Sequence, residues 1–208
     1  MRERLRRGLY LVTPDIRDSD RLLAVLEQAL QGRPAVVQYR NKLVSDAVRR
    51  EQALAVAALC RANDALFIVN DKVELALEVG ADGVHVGGED GDLAEIRARL
   101  GDTLILGVSC YDEWARAEAA VAAGADYVAF GAMFASSVKP DAPRASLELV
   151  QRAKAELSVP VVGIGGITLD NAPQLVEAGV DLVAVISDVF SAQEPAVRAA
   201  AIQDLFKN

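Results

Sequence analysis

Short apolar runs alternate with longer amphipathic stretches from one end of the chain to the other. The runs at 9–13, 36–39, 66–69, 83–86, 104–108, 127–130, 161–164 and 182–186 are rich in Val, Ile and Leu and lack clean period-two alternation. That is the pattern of parallel strands covered on both faces. Between them, helical periodicity runs through 21–30, 47–61, 92–100, 113–123, 146–157 and 171–178. Three helix ends share one punctuation: Gly80-Ala81-Asp82, Gly124-Ala125-Asp126 and Gly179-Val180-Asp181. In each, a glycine able to take positive φ stops the helix shortly before a strand. Eight strands separated by helices predict an α/β protein, a single (β/α)8 TIM barrel occupying residues 1–208. Most of its loops must be tight, because such barrels typically run to about 250 residues. An open doubly wound sheet would want a glycine-rich fingerprint after its first strand, and Thr13-Pro14-Asp15 is nothing like one.

Composition narrows the picture. With 52% hydrophobic and 25% charged residues over 208 positions, the chain suits one compact domain with a real core and argues against disorder. Its formal net charge of −8 and lack of a basic stripe exclude nucleic acid and anionic membrane as natural partners. An anionic ligand must be held by a few locally placed cations. Cys60 and Cys110 have no metal-ligand spacing and fit a reducing compartment. The arginines before position 8 resemble the start of a signal peptide, but only a strand-length apolar run follows them. No run approaches the roughly 20 apolar residues of a membrane span. The expectation is a soluble, cytoplasmic protein. The sequence allows a homodimer without fixing the oligomeric state.

In such a barrel the chemistry belongs to the carboxyl ends of the strands and the loops that follow. Those positions hold Gln38, Arg40 and Lys42 after strand two, Asn70 and Asp71 after strand three, and His85, Glu89 and Asp90 after strand four. Ser109 and Cys110 end strand five, and the strand-six loop runs Ser136-Ser137-Val138-Lys139. Arg40 and Lys42, two apart, can share a face and converge on an anion, with Lys139 on another loop. Asp71 and Asp90 follow adjacent strands, and their hard oxygens suit Mg²⁺ bridged to substrate phosphates, although either aspartate would also serve as a helix N-cap. Gly165-Gly166, with Ile186 and Ser187 on the next strand, offers backbone donors at the usual barrel phosphate site. His85, the only histidine, fits a general acid–base role or a hydrogen-bonded filler of the barrel top. Cys110 and Trp114 read as packing.

Taken in order, these residues resemble the thiamine phosphate synthase family. The resemblance rests on Tyr10-Leu-Val-Thr13, Gln38-x-Arg40-x-Lys42, Asn70-Asp71, Gly80-Ala-Asp-Gly-Val-His85 and Gly107-Val-Ser109. It continues through Gly124-Ala-Asp-Tyr127, the loop Gly131 to Lys139, Ile164-Gly-Gly-Ile167 and Ala184-Val-Ile-Ser187. It implies the same barrel and a Mg²⁺-dependent transferase that joins hydroxymethylpyrimidine diphosphate to thiazole phosphate. By motif position, Arg40, Lys42, Asn70 and Lys139 would hold the diphosphate, beside Ser136 and Ser137 of the same loop. Asp71 and Asp90 would hold Mg²⁺, Ser109 would contact the pyrimidine, and Gln38 would lie near it. Arg40, Lys42, Lys139 and Ser109 would be the catalytic group, and Gly165, Gly166, Ile186 and Ser187 would cradle the thiazole phosphate. Two positions depart from the family pattern: Gly88 where glutamine is usual, and Val138 where a threonine hydroxyl is usual. Two other readings share the fold. A thiazole tautomerase-like isomerase would need neither the cations nor the paired aspartates, and a phosphate-binding barrel without turnover would explain Gly88 and Val138.

Overall fold

Amphipathic helices joining parallel strands must bury their apolar faces on the sheet, and right-handed crossovers keep every helix on one side of it. The computed structural model, which describes residues 5–88, 90–135 and 144–207, shows the result: a closed barrel of eight parallel strands in sequential order. The strands are β1 (Gly8–Val12), β2 (Val36–Tyr39), β3 (Leu66–Asn70), β4 (Gly83–Val86), β5 (Ile105–Tyr111), β6 (Tyr127–Phe130), β7 (Val161–Ile164) and β8 (Leu182–Val185). Closure is made by β1 on β8, with Gly8 opposite Leu182. Helices α1 (Ser19–Leu30), α2 (Asp46–Ala62), α3 (Val73–Glu78), α4 (Leu93–Leu100), α5 (Trp114–Ala122), α6 (Leu147–Glu156) and α7 (Ala172–Glu177) surround the barrel. The short α8 (Ser187–Phe190) and α9 (Pro195–Asp204) complete the chain.

The missing period-two alternation has a simple cause, because both faces of each strand are buried. Tyr10, Val12, Val36, Ile68, Ile105, Tyr127, Val162 and Leu182 form the cluster inside the barrel. Leu9, Leu11, Val37, Val69, Val84, Leu106, Val128 and Val183 belong to the shell beneath the helices. The predicted strands agree with the observed ones to within a residue or so, except that β5 runs on to Tyr111 through a register shift against β6 between Ser109 and Tyr111.

The repeated glycine-x-aspartate has a second job besides stopping a helix. Asp82, Asp126 and Asp181 each grip the start of the preceding strand at two points. Their N–H groups donate to Phe67 O (2.8 Å), Leu106 O (2.7 Å) and Val161 O (2.8 Å). Their carboxylates accept from the N–H groups of the same three residues at 2.8, 2.9 and 2.8 Å. Arg97 pairs with Asp126 at 2.7 Å and Lys154 with Asp181 at 2.6 Å. Buried strand-start N–H groups are thus satisfied at the amino end of the barrel, which leaves the carboxyl end for chemistry.

Candidate active site

The cation hairpin after β2 is held by polar contacts that begin in the β1 loop. Thr13 Oγ1 accepts from Arg40 N and donates to Arg40 O, both at 2.9 Å. Asp15 accepts from Arg40 Nη1 at 2.7 Å and from Lys42 N at 2.6 Å. Beneath them the buried Asn41 donates to Ile16 O (2.7 Å) and to Gln52 Oε1 (2.9 Å), which also accepts from Tyr39 (2.8 Å). Arg40 is therefore a half-buried guanidinium already oriented by a carboxylate. Lys42 is exposed, and its charge is felt at Asp71. Gln38 is 3% exposed inside β2.

Asp71 and Asp90 are brought together across the ends of β3 and β4. Asp71, at φ 59°, donates its N–H to His85 O at 2.8 Å, folding the β3 loop onto β4. Burial, then the charge and hydrogen bond of Asp90, raise the Asp71 carboxyl above its ordinary range; Lys42 and the side chain of Asn70 oppose the rise. Neither aspartate caps a helix. Lys72 stands at the start of α3 without a side-chain cap bond, while α4 is capped by Asp92, which accepts from Ala94 N and Glu95 N. Asp90 instead accepts from Gly87 N at 2.6 Å. Two carboxylates that resist joint ionisation, with a lysine beside them, make a donor set that a hard divalent cation would relieve. Among the described residues no group of three or more His, Cys, Asp or Glu side chains is arranged to hold a metal. A cation held by the pair would take its other ligands from water and substrate oxygens, which is how Mg²⁺ usually binds.

A quarter-turn or more round the rim, Gly165 and Gly166 take φ values of 101° and 65°. A Cβ at Gly166 would lie 2.6 Å from the carbonyl oxygens of Phe134 and Ala135, so only glycine fits. Asn171 pins this turn, donating to Gly166 O at 3.0 Å and accepting from Thr168 N at 2.8 Å. Next to it Ile186 follows β8 as the N-cap of α8, which the exposed Ser187 begins. The turn and the helix start present backbone donors at the same rim, as a phosphate cradle requires.

Below the mouth a line of polar groups crosses the apolar barrel. Tyr10 and Tyr127 place their hydroxyls 2.8 Å apart, Tyr127 OH lies 2.9 Å from His85 Nδ1, and His85 Nε2 lies 2.8 Å from Ser109 Oγ. Gly107 makes room for this line, since a Cβ there would stand 2.0 Å from the Tyr127 ring. Burial pulls the His85 imidazole down to about 4, with Asp90 opposing, so it is neutral at physiological pH and unsuited to acid–base exchange with solvent. Cys110 is buried beneath the helices, its thiol pushed up to about 12 by burial, which leaves it a packing residue.

Three features escaped the sequence. Asp15 sits at a strand end, where the positional rule would have found it. The tyrosine pair joins β1 to β6, a contact that no local pattern announces. Arg116 on α5 lies over the Tyr111 ring, 5.1 Å from its centroid, with its Nη1 only 2.2 Å from where a Cβ on Gly88 would be. The space beside Gly88 is thus filled by a guanidinium from α5. Ser136, Ser137, Val138 and Lys139 lie outside the described residues, as does Glu89. Two surface cavities of 430 and 580 Å³ open at the opposite, amino end of the barrel. Arg6, which lines both, is held by Asp64 at 2.9 Å.

A family model described as thiamine monophosphate synthase matches residues 9–189. The thiamine-phosphate synthase of an Azoarcus species is 59% identical over 206 residues, covering 99% of this chain and 100% of that protein. That of Aromatoleum aromaticum is 58% identical over 200 residues, 96% of each chain. The solved thiamine phosphate pyrophosphorylase from Pyrococcus furiosus superposes with a TM-score of 0.88 at 32% identity, covering 99% of this chain and 98% of that one.

Proposed function

The chain belongs to the thiamine monophosphate synthase family and is a transferase of thiamine biosynthesis, and on that premise we propose that it joins hydroxymethylpyrimidine diphosphate to thiazole phosphate in a Mg²⁺-dependent reaction. The observation that carries the metal and the diphosphate is the Asp71–Asp90 pair, whose mutual repulsion a divalent cation would remove. Bound there, Mg²⁺ would supply positive charge to the departing diphosphate. Arg40, oriented by Asp15, and Lys42 add fixed charge at the same place, and Asn70 lies beside Asp71. Lys139, Ser136 and Ser137 are assigned to this site on sequence alone.

The pyrimidine C–O bond breaks with its electron pair leaving on diphosphate, and the thiazole nitrogen then captures the methylene cation. Charge that builds on the leaving group is what preorganised cations stabilise more in the transition state than in the ground state. No proton needs to move at His85, which agrees with its buried, neutral state. Gln38 and Ser109 face the pyrimidine, and Gly165, Gly166, Ile186 and Ser187 receive the thiazole phosphate. Two anion sites on one rim favour joining two substrates over isomerising one. The test is direct: purified protein with both substrates and Mg²⁺ should release diphosphate and form thiamine phosphate, and EDTA should abolish this. Absence of diphosphate release in Mg²⁺ refutes the reading.

A further inference from the structure

Hydrogen counting along the buried polar line gives it a direction. The neutral imidazole of His85 has one N–H and one acceptor nitrogen, and each phenol and the serine hydroxyl has one hydrogen. Tyr10 is 2% exposed and Tyr127 is 0% exposed. Among the described residues the hydroxyl of Tyr10 meets only that of Tyr127, while Tyr127 meets both Tyr10 and His85 Nδ1. If Nδ1 carried the hydrogen, Tyr127 would accept from it, and either Tyr127 or Tyr10 would keep a buried hydroxyl hydrogen with no acceptor. One arrangement leaves none stranded. Tyr10 donates to Tyr127, Tyr127 donates to Nδ1, and Nε2–H donates to Ser109 Oγ. The remaining hydrogen is then that of Ser109, which is half-buried and borders the mouth. Buried donors are rarely left unpaired, so this arrangement is selected.

We propose that Tyr10, Tyr127 and His85 are positioning residues whose hydrogen-bond chain fixes the Ser109 hydroxyl as a donor, so that the bound heteroaromatic ring must present an acceptor nitrogen to it. This rests on the reading of Ser109 as the pyrimidine contact but adds the polarity of that contact and its origin across the barrel. Gly107 belongs to the same device, because any side chain there would displace the Tyr127 ring. The stacking of His85 on Tyr127, 5.6 Å between centroids at 20°, holds the imidazole plane in line with the chain.

The chain has one histidine, so nitrogen-15 labelling of histidine gives a spectrum of His85 alone. In the full-length protein near neutral pH, Nε2 should appear protonated and Nδ1 as an unprotonated acceptor. Protonation at Nδ1, or at both nitrogens, overturns the proposal. In Tyr127→Phe the two tautomers should mix, and kcat should fall on the order of tenfold with KM for thiazole phosphate unchanged. A kcat equal to wild type would remove the positioning role. Ser109→Ala should lose turnover and Ser109→Thr, which keeps the hydroxyl, should recover most of it; equal loss in both counts against the donor. If Tyr127→Phe does not fold, the wild-type spectrum still decides. A wild-type protein that forms no thiamine phosphate refutes the function and leaves the tautomer result standing; active protein with Nδ1–H refutes this inference alone.

Discussion

At position 71 the fold disfavours the ionised form of a carboxylate. Burial and Asp90 raise its folded pKa, so what the fold favours is the protonated form. That contribution is complete below the ordinary carboxylate range and is lost as pH rises through the raised value. Metal-free protein near pH 7 is therefore strained, and Asp71→Asn should raise its melting temperature in EDTA while thiamine phosphate formation collapses. The gap in melting temperature should close near pH 4. A variant less stable than wild type at pH 7 would contradict this account. His85 has the opposite sign. Its folded value of about 4 lies below the ordinary histidine value of 6.5, so its contribution is present above about 6.5 and is lost as pH falls towards 4. The difference is worth about 3 kcal/mol at about 1.4 kcal/mol per unit. Urea titrations between pH 7 and 4 should show that loss, and the imidazole signals should not titrate between pH 7 and 5. At this scale the sequence was informative about residue types at strand ends but silent about partners. Arg40 could be placed at the mouth, yet its capture by Asp15 depends on two loops meeting. The Tyr10–Tyr127 bond depends on strands that are not neighbours in the barrel.

Among the elements, the strands were legible because both of their faces are buried, and the longer helices because one face is. Helix α8, four residues long, offers too few turns for a period to register, α3 went unread although α7 of the same length did not, and α9 is alanine-rich with only Pro195, Ala199 and Ile202 buried. The Gly-x-Asp repeat was visible as a helix stop. Its grip on the preceding strand was not, because that requires the register. Asp126 is 8% exposed, accepts from Leu106 N and pairs with Arg97. Asp126→Ala strands a buried amide and a guanidinium together, and should cost about 3 kcal/mol of unfolding free energy. A loss below about 1 kcal/mol in chemical denaturation would mean that the carboxylate is dispensable.

For the molecule as a whole, an excess of eight negative charges would repel phosphorylated ligands, and under the proposed function the mouth must overcome this with few cations. On the proposed function the consequence is interdependence: diphosphate would lack sufficient positive charge without the metal, and the metal would lack oxygens without diphosphate. Thermal denaturation should show a larger shift with Mg²⁺ and inorganic diphosphate together than the two separate shifts combined. Simple additivity would separate the two sites. Composition alone argued against polyanion partners, and among the described residues no helix is long and apolar enough to cross a membrane.

The strand-start aspartates also bear on how the chain reaches this state. Each bridges only 15 or 20 positions of sequence, whereas the closing pair β1 and β8 joins Gly8 to Leu182. Short loops close at lower entropic cost than long ones. Successive strand pairs should therefore lock early and the ring should shut last. Substitutions at Asp126 should then slow refolding, while changes at the Gly8–Leu182 seam should mainly speed unfolding; stopped-flow rates showing the reverse would place closure first.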